Sequence, residues 1–249
     1  MDRPPDVLLV LAKSPVAGLA KTRLCPPASP SDAAAIAAAA LLDTLDAVAG
    51  VPGARVMVAW TGDLAGAQYA AELGRALAGV ERFEQSEGPL ERRIAGAHAE
   101  VARRAPGSAV LQIGMDTPQV DADTLTAALI ALRSPDGRVV RAGVAGTEPG
   151  GTEPVDAVLG PALDGGWWAL GLRDPRRAAA VAEVPMSRSD TGELTRGALL
   201  GAGLRVATLA TVRDVDDAND AHIVAAEAPH GRFAAQVHAR LRPPVGGTC

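Results

Sequence analysis

The sequence predicts an α/β fold, a doubly wound sheet flanked by helices, and three observations support this. Val7-Leu-Leu-Val-Leu-Ala12 is a continuous apolar run, which is typical of a parallel strand buried on both faces. Strand-like runs alternate with helical stretches along the chain, as in right-handed β-α-β units. The 249 residues are 48% hydrophobic, which is enough to bury a large core.

The elements follow in order from these patterns. We predict strands at 7–12, 55–60, 80–84, 109–114, 157–159, 167–172 and 204–209. We predict helices at 31–49, 64–77, 89–104, 123–132, 190–200, 218–227 and 231–241. Ser31 is the expected N-cap of the first helix, and Pro89 suits a first turn. Asp190 and Glu193 have the spacing of a capping box.

Two segments do not follow the alternation. The Gly- and Pro-rich stretch 134–154 predicts an exposed loop or hairpin, with a strand candidate at 139–142. Residues 242–249 predict a disordered tail. We therefore expect a single domain over residues 1–241.

Composition excludes several classes of protein. A formal charge of −5 argues against a general nucleic-acid binder, which needs a basic surface. Cys25 and Cys249 are the only cysteines, so neither structural zinc nor a disulfide framework is expected. No stretch reaches the roughly 20 apolar residues that span a bilayer, and 7–12 is too short for a signal-peptide core. We expect a cytoplasmic protein, with a homodimer as one open option.

The loop after the first strand carries the only two lysines of the sequence, Lys13 and Lys21, with Gly18 and Arg23. Open α/β sheets bind ligands beyond the carboxyl ends of their strands, and a lysine ammonium suits a phosphate. We predict that this loop, including its turn at Gly18, binds phosphates. A solvated turn is the alternative. Ala20 before Lys21 excludes a Walker A loop, and the single glycine excludes a dinucleotide fingerprint.

Asp116, in Gly-Met-Asp-Thr-Pro, follows the strand predicted at 109–114. A carboxylate at the carboxyl edge of the sheet can hold Mg²⁺ or Mn²⁺, because hard cations prefer oxygen ligands. The alternative is a turn cap around Pro118. Together with the other aspartates below, Asp116 is the predicted metal ligand.

Asp164-Gly165-Gly166 follows another predicted strand. Glycine lets the backbone approach a ligand closely, so this turn is a candidate substrate-binding segment, and a tight turn between strands is an equal alternative. Trp167 and Trp168 face opposite ways in a strand, so one at most lines a pocket and the other is expected in the core.

Asp214 and Asp216 lie in an acidic turn after the last predicted strand. This turn either contributes to metal binding or caps the following helix. Arg92 and Arg93 near a helix start add positive charge, although arginines in such positions are commonly solvated.

Four motifs occur in order and cover most of the chain: Ala12–Leu24, Gly114–Pro118, Gly160–Trp168 and Asp214–Asp217. Together they resemble glycosyltransferase-like proteins of the GT-A superfamily that carry an uncharacterised conserved domain and are related to small-molecule nucleotidyltransferases. The resemblance implies a GT-A fold, like that of nucleotide-diphospho-sugar transferases. It further implies an N-terminal nucleotide half, an acceptor half after Asp116, and a metal between them.

The resemblance also implies roles for matched positions. Lys13, Lys21 and Arg23 match the phosphate-binding loop, and Asp116 matches the metal ligand. Asp164 matches the position near the acceptor and Asp216 the carboxylate near the metal. Two departures are Met115, where the family often has Ser or Thr, and the tryptophan pair, where it often has Tyr.

Three functions are compatible with these features. The first is glycosyl transfer from a nucleotide-sugar to a small acceptor with Mg²⁺ or Mn²⁺, in which Lys21 and Arg23 stabilise the leaving diphosphate and Asp164 orients or deprotonates the acceptor. The second is nucleotidyl transfer from a nucleoside triphosphate to a small phosphate or phosphonate acceptor, releasing pyrophosphate. The third is a nucleotide-binding regulator.

Overall fold

The computed structural model describes residues 4–134 and 154–241. Its described strands form one sheet, with β1 (Val7–Lys13), β2 (Arg55–Thr61), β3 (Glu81–Glu84), β4 (Val110–Ile113), β5 (Ala157–Pro161), β6 (Trp167–Leu172) and β7 (Val206–Thr208). The described helices are α1 (Pro30–Ala49), α2 (Ala70–Ala78), α3 (Leu90–Arg104), α4 (Ala122–Arg133), α5 (Thr191–Gly201), α6 (Ala218–Glu227) and α7 (Arg232–Arg240), with 3₁₀ helices at Thr22–Leu24 and Pro175–Val181. The predicted strand at 139–142 and tail at 242–249 lie outside the described residues.

The strands are arranged in the order β3-β2-β1-β4-β6-β5-β7. β1 pairs in parallel with β2 and β4, as the alternation predicts. β6 instead runs antiparallel to both β4 and β5, so the sheet is mixed. β6 is antiparallel to β5 because only residues 162–166 connect the two strands. A parallel arrangement would require a crossover connection of a dozen or more residues.

The centre of the sheet explains the continuous apolar run of β1. Leu8 and Val10 pack into a core on one face, and Val7 and Leu9 pack into a core on the other. All four side chains are fully buried. A strand covered on both faces has no polar positions to alternate with, so its sequence reads as uniformly apolar.

Two predicted helix caps are wrong, and α2 begins at Ala70 rather than at residue 64. Ser29, not Ser31, caps α1 by accepting the Asp32 N–H, because Pro30 occupies the first turn. Asp190 precedes α5 but makes no side-chain cap. Its carboxylate instead accepts two hydrogen bonds from Arg188, at 2.8 and 2.9 Å.

One edge of the sheet collects the segments that the sequence singled out. The carboxyl ends of β1 and β4 lead to Lys13 and Gly114, and antiparallel β6 begins at this edge with Trp167. The segment after β7 reaches the same edge, since Val212 bridges to Ala162. Within the described residues, no helix is both long and apolar enough to cross a membrane.

A buried histidine, His98, ties α3 to β4. Its Nε2 donates to Gln112 Oε1 at 2.8 Å, and its side chain is fully buried. Burial lowers the pKa of His98 to about 4, because the charged imidazolium loses its hydration.

This burial predicts a specific pH dependence of stability. Below pH 6.5 His98 becomes protonated in the unfolded chain but stays neutral in the folded protein. The free energy of unfolding therefore falls as the pH drops. By pH 4 the loss relative to pH 7 should be about 3 kcal/mol. Urea unfolding of the native chain and His98→Gln at both pH values measures the difference. Exposed His238→Gln is the control and should behave like the native chain. An equal pH response of the native chain and His98→Gln would contradict the prediction.

Candidate functional site

A cleft of about 690 Å³ opens at this edge of the sheet. Most residues predicted for the site line it: Lys13, Lys21, Arg23, Asp116, Asp164, Gly166, Trp167 and Asp216. Gly18 and Gly165, predicted as substrate-binding, are not among its lining residues. The structure thus brings together in one cleft segments that are far apart in the sequence.

The lysine loop turns sharply before it enters the cleft. Gly18 has φ +76° and Lys21 has φ +46°, both in the left-handed region. This backbone directs the Lys21 side chain inward, where its Nζ donates to Asp116 Oδ2 at 3.1 Å and to the Val215 carbonyl. Only 16% of the Lys21 side chain is exposed. Lys21 therefore joins the loop after β1 to the loops after β4 and β7.

The other two cations of the loop are more accessible. Arg23 Nη1 donates to Asp216 Oδ2 at 2.7 Å, and 69% of the arginine side chain is exposed. Lys13 Nζ donates to the Leu19 carbonyl at 2.9 Å. Met115 lies against this loop, where its Sδ accepts from the Lys13 backbone N–H at 3.3 Å.

Three carboxylates cluster in the cleft: Asp164, Asp214 and Asp216 each offer an oxygen within 4.8 Å of the others. Burial raises the pKa of Asp214 to about 6, and the negative charges of Asp164, Asp116 and Asp216 add to this shift. The predicted ligand Asp116 adjoins the cluster but contacts Lys21. Asp214 is the member to which the sequence assigned no definite role, because its turn also suited a helix cap.

This donor set suits a divalent metal. All of its ligand atoms are carboxylate oxygens, the type that Mg²⁺ and Mn²⁺ prefer. The raised pKa of Asp214 comes first from its burial and then from the negative charges of its neighbours, and a bound cation would offset both. The residues present therefore fit a hard divalent cation.

The Asp164-Gly165-Gly166 turn connects β5 and β6. The Gly166 N–H donates to Asp164 Oδ1 at 2.8 Å, which fixes the carboxylate at the cleft. Trp167 is partly exposed in the cleft and its Nε1 donates to Thr195 Oγ1 at 3.2 Å. Trp168 is buried, as expected for one of the pair, but it also lines the cleft, so the expectation that at most one tryptophan would do so is wrong.

Gly165 packs this turn against the segment that leads into α5. It has φ +89°, and an added Cβ would lie 1.8 Å from the Ser189 carbonyl oxygen. Its own carbonyl accepts the Gly192 N–H at 2.8 Å at the start of α5. The turn and the helix are thus packed backbone against backbone, which only glycine permits.

Gly165→Ala is therefore expected to destabilise the fold by about 3 kcal/mol, because the Cβ clash adds to the left-handed strain. Thermal or urea unfolding measures the loss. Gly203→Ala is the matched control: it has φ +77° with nothing within 4 Å of an added Cβ. It should cost only about 1 kcal/mol. Equal losses in the two variants would contradict the packing argument.

The cleft also contains polar residues that the sequence did not assign to it. Gln85, Arg93 and Gln112 all line it. Gln85 follows β3 directly, so its position at a strand end was the available signal. Arg93 was noted only as extra charge near a helix start.

A family model described as "uncharacterized protein conserved in bacteria", DUF2064, matches residues 44–188, which is more than half of the chain. The chain belongs to the DUF2064 family. The match covers the loop after β4 and the Asp164 turn, while the lysine loop and Asp214 lie outside it.

Solved structures show that this DUF2064 chain has the predicted GT-A fold. A proposed nucleotide-diphospho-sugar transferase from Desulfovibrio desulfuricans G20 is 21% identical, with a TM-score of 0.76 and 94% of each chain covered. CMP:2-keto-3-deoxy-manno-octonic acid synthetase in complex with CTP is 12% identical, with a TM-score of 0.51 over 90% of this chain and 99% of that one. A cytidylyltransferase from Leptospira borgpetersenii is 9% identical, with a TM-score of 0.51 over 98% and 100%.

Proposed function

We propose that this DUF2064 protein is a metal-dependent transferase that takes a nucleotide-activated sugar and transfers the glycosyl group to a small acceptor. The observation that carries the proposal is the alternation of charge in the cleft. Lys21 and Arg23 lie against Asp116 and Asp216, beside the three-carboxylate cluster. The basic side chains of Lys21 and Arg23 suit the negative charge of a diphosphate, and the carboxylates suit a divalent metal. Together they suit a metal-bound diphosphate.

The carboxylates divide naturally between metal and acceptor. Asp214 and Asp216 are partly buried and would hold the cation, with Asp116 as the further predicted ligand. Mg²⁺ or Mn²⁺, when bound there, supplies positive charge that offsets the charge of the diphosphate. Asp164 is the exposed member of the cluster, and its Oδ1 already accepts the Gly166 N–H. We therefore assign its Oδ2 to the acceptor.

The transfer itself places specific demands on the side chains. The bond between the anomeric carbon and the diphosphate oxygen breaks, and its electron pair leaves with the diphosphate. Lys21 and Arg23 stabilise that developing charge, as preorganised cations in a cleft do. The acceptor oxygen bonds to the anomeric carbon and passes its proton to Asp164.

Nucleotidyl transfer is the second candidate, and one observation favours it. Lys13 and Lys21 both line the cleft from a single loop, and two ammonium groups suit the longer chain of a triphosphate. In that reaction an acceptor phosphate or phosphonate attacks the α-phosphorus, and pyrophosphate leaves. The same cluster of aspartates would hold the metal.

Product analysis separates these candidates. The protein is incubated with nucleotide-sugars and with nucleoside triphosphates, each with Mn²⁺ or Mg²⁺ and a panel of small hydroxyl, phosphate and phosphonate acceptors. Metal-dependent release of a nucleoside diphosphate with a glycosylated acceptor supports the first proposal. Pyrophosphate release supports the second and contradicts the first. Nucleotide binding without either product would favour a regulator.

A further inference from the structure

Arg93, on α3, lines the cleft at some distance in sequence from the lysine loop. Its Nε donates to Gln85 Oε1 at 2.9 Å, and its Nη2 donates to the same oxygen. A guanidinium has five N–H donors in a planar fork, so three of them remain available, on Nη1 and Nη2. The unused edge presents two parallel N–H groups.

Gln85 fixes the orientation of this arginine. Its Nε2 donates to the carbonyls of Ala12 and Ala59, both at 2.8 Å, at the ends of β1 and β2. Both amide hydrogens are thereby satisfied, and Oε1 is left for Arg93. α3 also packs closely against Ser86, the residue after Gln85, since a Cβ added at Gly96 would lie 2.6 Å from Ser86 Oγ. The guanidinium is therefore held before any ligand binds.

The charge of Arg93 lacks a carboxylate partner within residues 4–134 and 154–241. Three other cations of the cleft differ in this respect. Lys21 pairs with Asp116, Arg23 with Asp216, and Arg188 with Asp190. Among the described residues Arg93 bonds only to the neutral amide of Gln85, so its remaining donors can serve a ligand.

The surroundings of Arg93 suit a flat, partly apolar group. Leu90 and Ile94 are one helical turn apart on α3 and line the cleft with Leu11 of β1. Gln85 also bonds to Ala12, the residue before Lys13, so this region adjoins the start of the lysine loop. A nucleotide whose phosphates lie at that loop can extend its base to Arg93.

We propose that Arg93, positioned by Gln85, recognises the base of the nucleotide donor and selects a base with two adjacent hydrogen-bond acceptors. Guanine offers O6 and N7, and cytosine offers O2 and N3. Adenine and uracil place an N–H donor beside or between their acceptors, so a donor of the fork would face a donor. The inference rests on the proposed function, because it requires a nucleotide in the cleft.

Calorimetric titration of GDP, CDP, ADP and UDP, each with Mn²⁺, tests the inference on the full chain. The native protein should bind GDP or CDP at least about tenfold more tightly than ADP and UDP. Arg93→Gln should bring all four affinities within about threefold, by weakening only the preferred nucleotide. The GDP and CDP titrations show which of the two bases is selected.

Two further variants exclude trivial explanations. Arg92→Gln is the matched control: this neighbouring arginine is exposed, pairs with Glu183 at 3.1 Å and does not line the cleft. It should keep the native discrimination. Arg93→Lys keeps the positive charge but loses the fork, so it should lose discrimination as Arg93→Gln does.

Equal weakening of all four nucleotides in Arg93→Gln would make Arg93 a phosphate ligand and overturn the inference. Native binding without discrimination, or discrimination that survives both Arg93 variants, would overturn it as well. If the native protein binds none of the four, the proposed function fails, and base recognition fails with it.

Discussion

Asp214→Asn is expected to lower metal-dependent transfer by about a hundredfold or more while leaving the fold intact. Asp214 clusters with Asp164 and Asp216, and its burial, together with the negative charge around it, raises its pKa to about 6. Asparagine keeps the shape but removes one anionic ligand. Because it also removes repulsion between like charges, the melting temperature without metal should not fall. Calorimetric titration of Mn²⁺ and steady-state rates measure the two effects.

The control for Asp214 is its near neighbour Asp217. Asp217 caps α6 by accepting the Asp220 N–H at 2.9 Å, and it is not part of the three-carboxylate cluster. Asp217→Asn removes the same charge and keeps a good capping residue, so Mn²⁺ binding should be retained. Native Mn²⁺ affinity in Asp214→Asn would show that the cluster does not hold the metal.

Lys21→Ala is expected to weaken nucleotide binding by about a hundredfold. Its ammonium is mostly buried and lies 3.1 Å from Asp116 Oδ2. Removing it leaves an uncompensated carboxylate where the phosphates should lie, so the anionic ligand meets repulsion in place of attraction. Nucleoside diphosphate titration with and without Mn²⁺ measures the loss.

Arg75→Ala is the control for Lys21. Arg75 is exposed on α2, away from the cleft, and its loss changes the net charge by the same amount. It should bind nucleotides like the native chain. A comparable loss in the two variants would mean that net charge, rather than a contact at Lys21, controls affinity. Native affinity in Lys21→Ala would remove the lysine from the phosphate site.

Much of the architecture could be predicted because local patterns determine it. The β6 strand and α6 have the predicted bounds, and the apolar run of β1 correctly placed it in a sheet covered on both faces. The direction of β6 was not predicted, since strand–helix alternation says nothing about two strands that are joined without a helix. Only the shortness of connection 162–166 indicates that β5 and β6 are antiparallel.

The arrangement of the candidate site could be predicted only for those residues that lie at strand ends. Lys21 and Asp116 each follow a strand, so their approach at one edge follows from parallel pairing of β1 and β4. Arg93 could not be distinguished from Arg92 in the sequence. In the structure Arg93 bonds to the Gln85 amide, whereas Arg92 bonds to Glu183.

The contacts of Lys21 and Arg23 also have a kinetic consequence. Lys21 meets Asp116 across 95 positions of the chain and the Val215 carbonyl across 194, while Arg23 meets Asp216 across 193. Contacts between such distant segments form late, because closing long loops costs entropy that local structure does not repay. During refolding, helical signal should therefore recover well before nucleotide binding does. A partly folded molecule would therefore lack an assembled cleft even after most of its helices have formed.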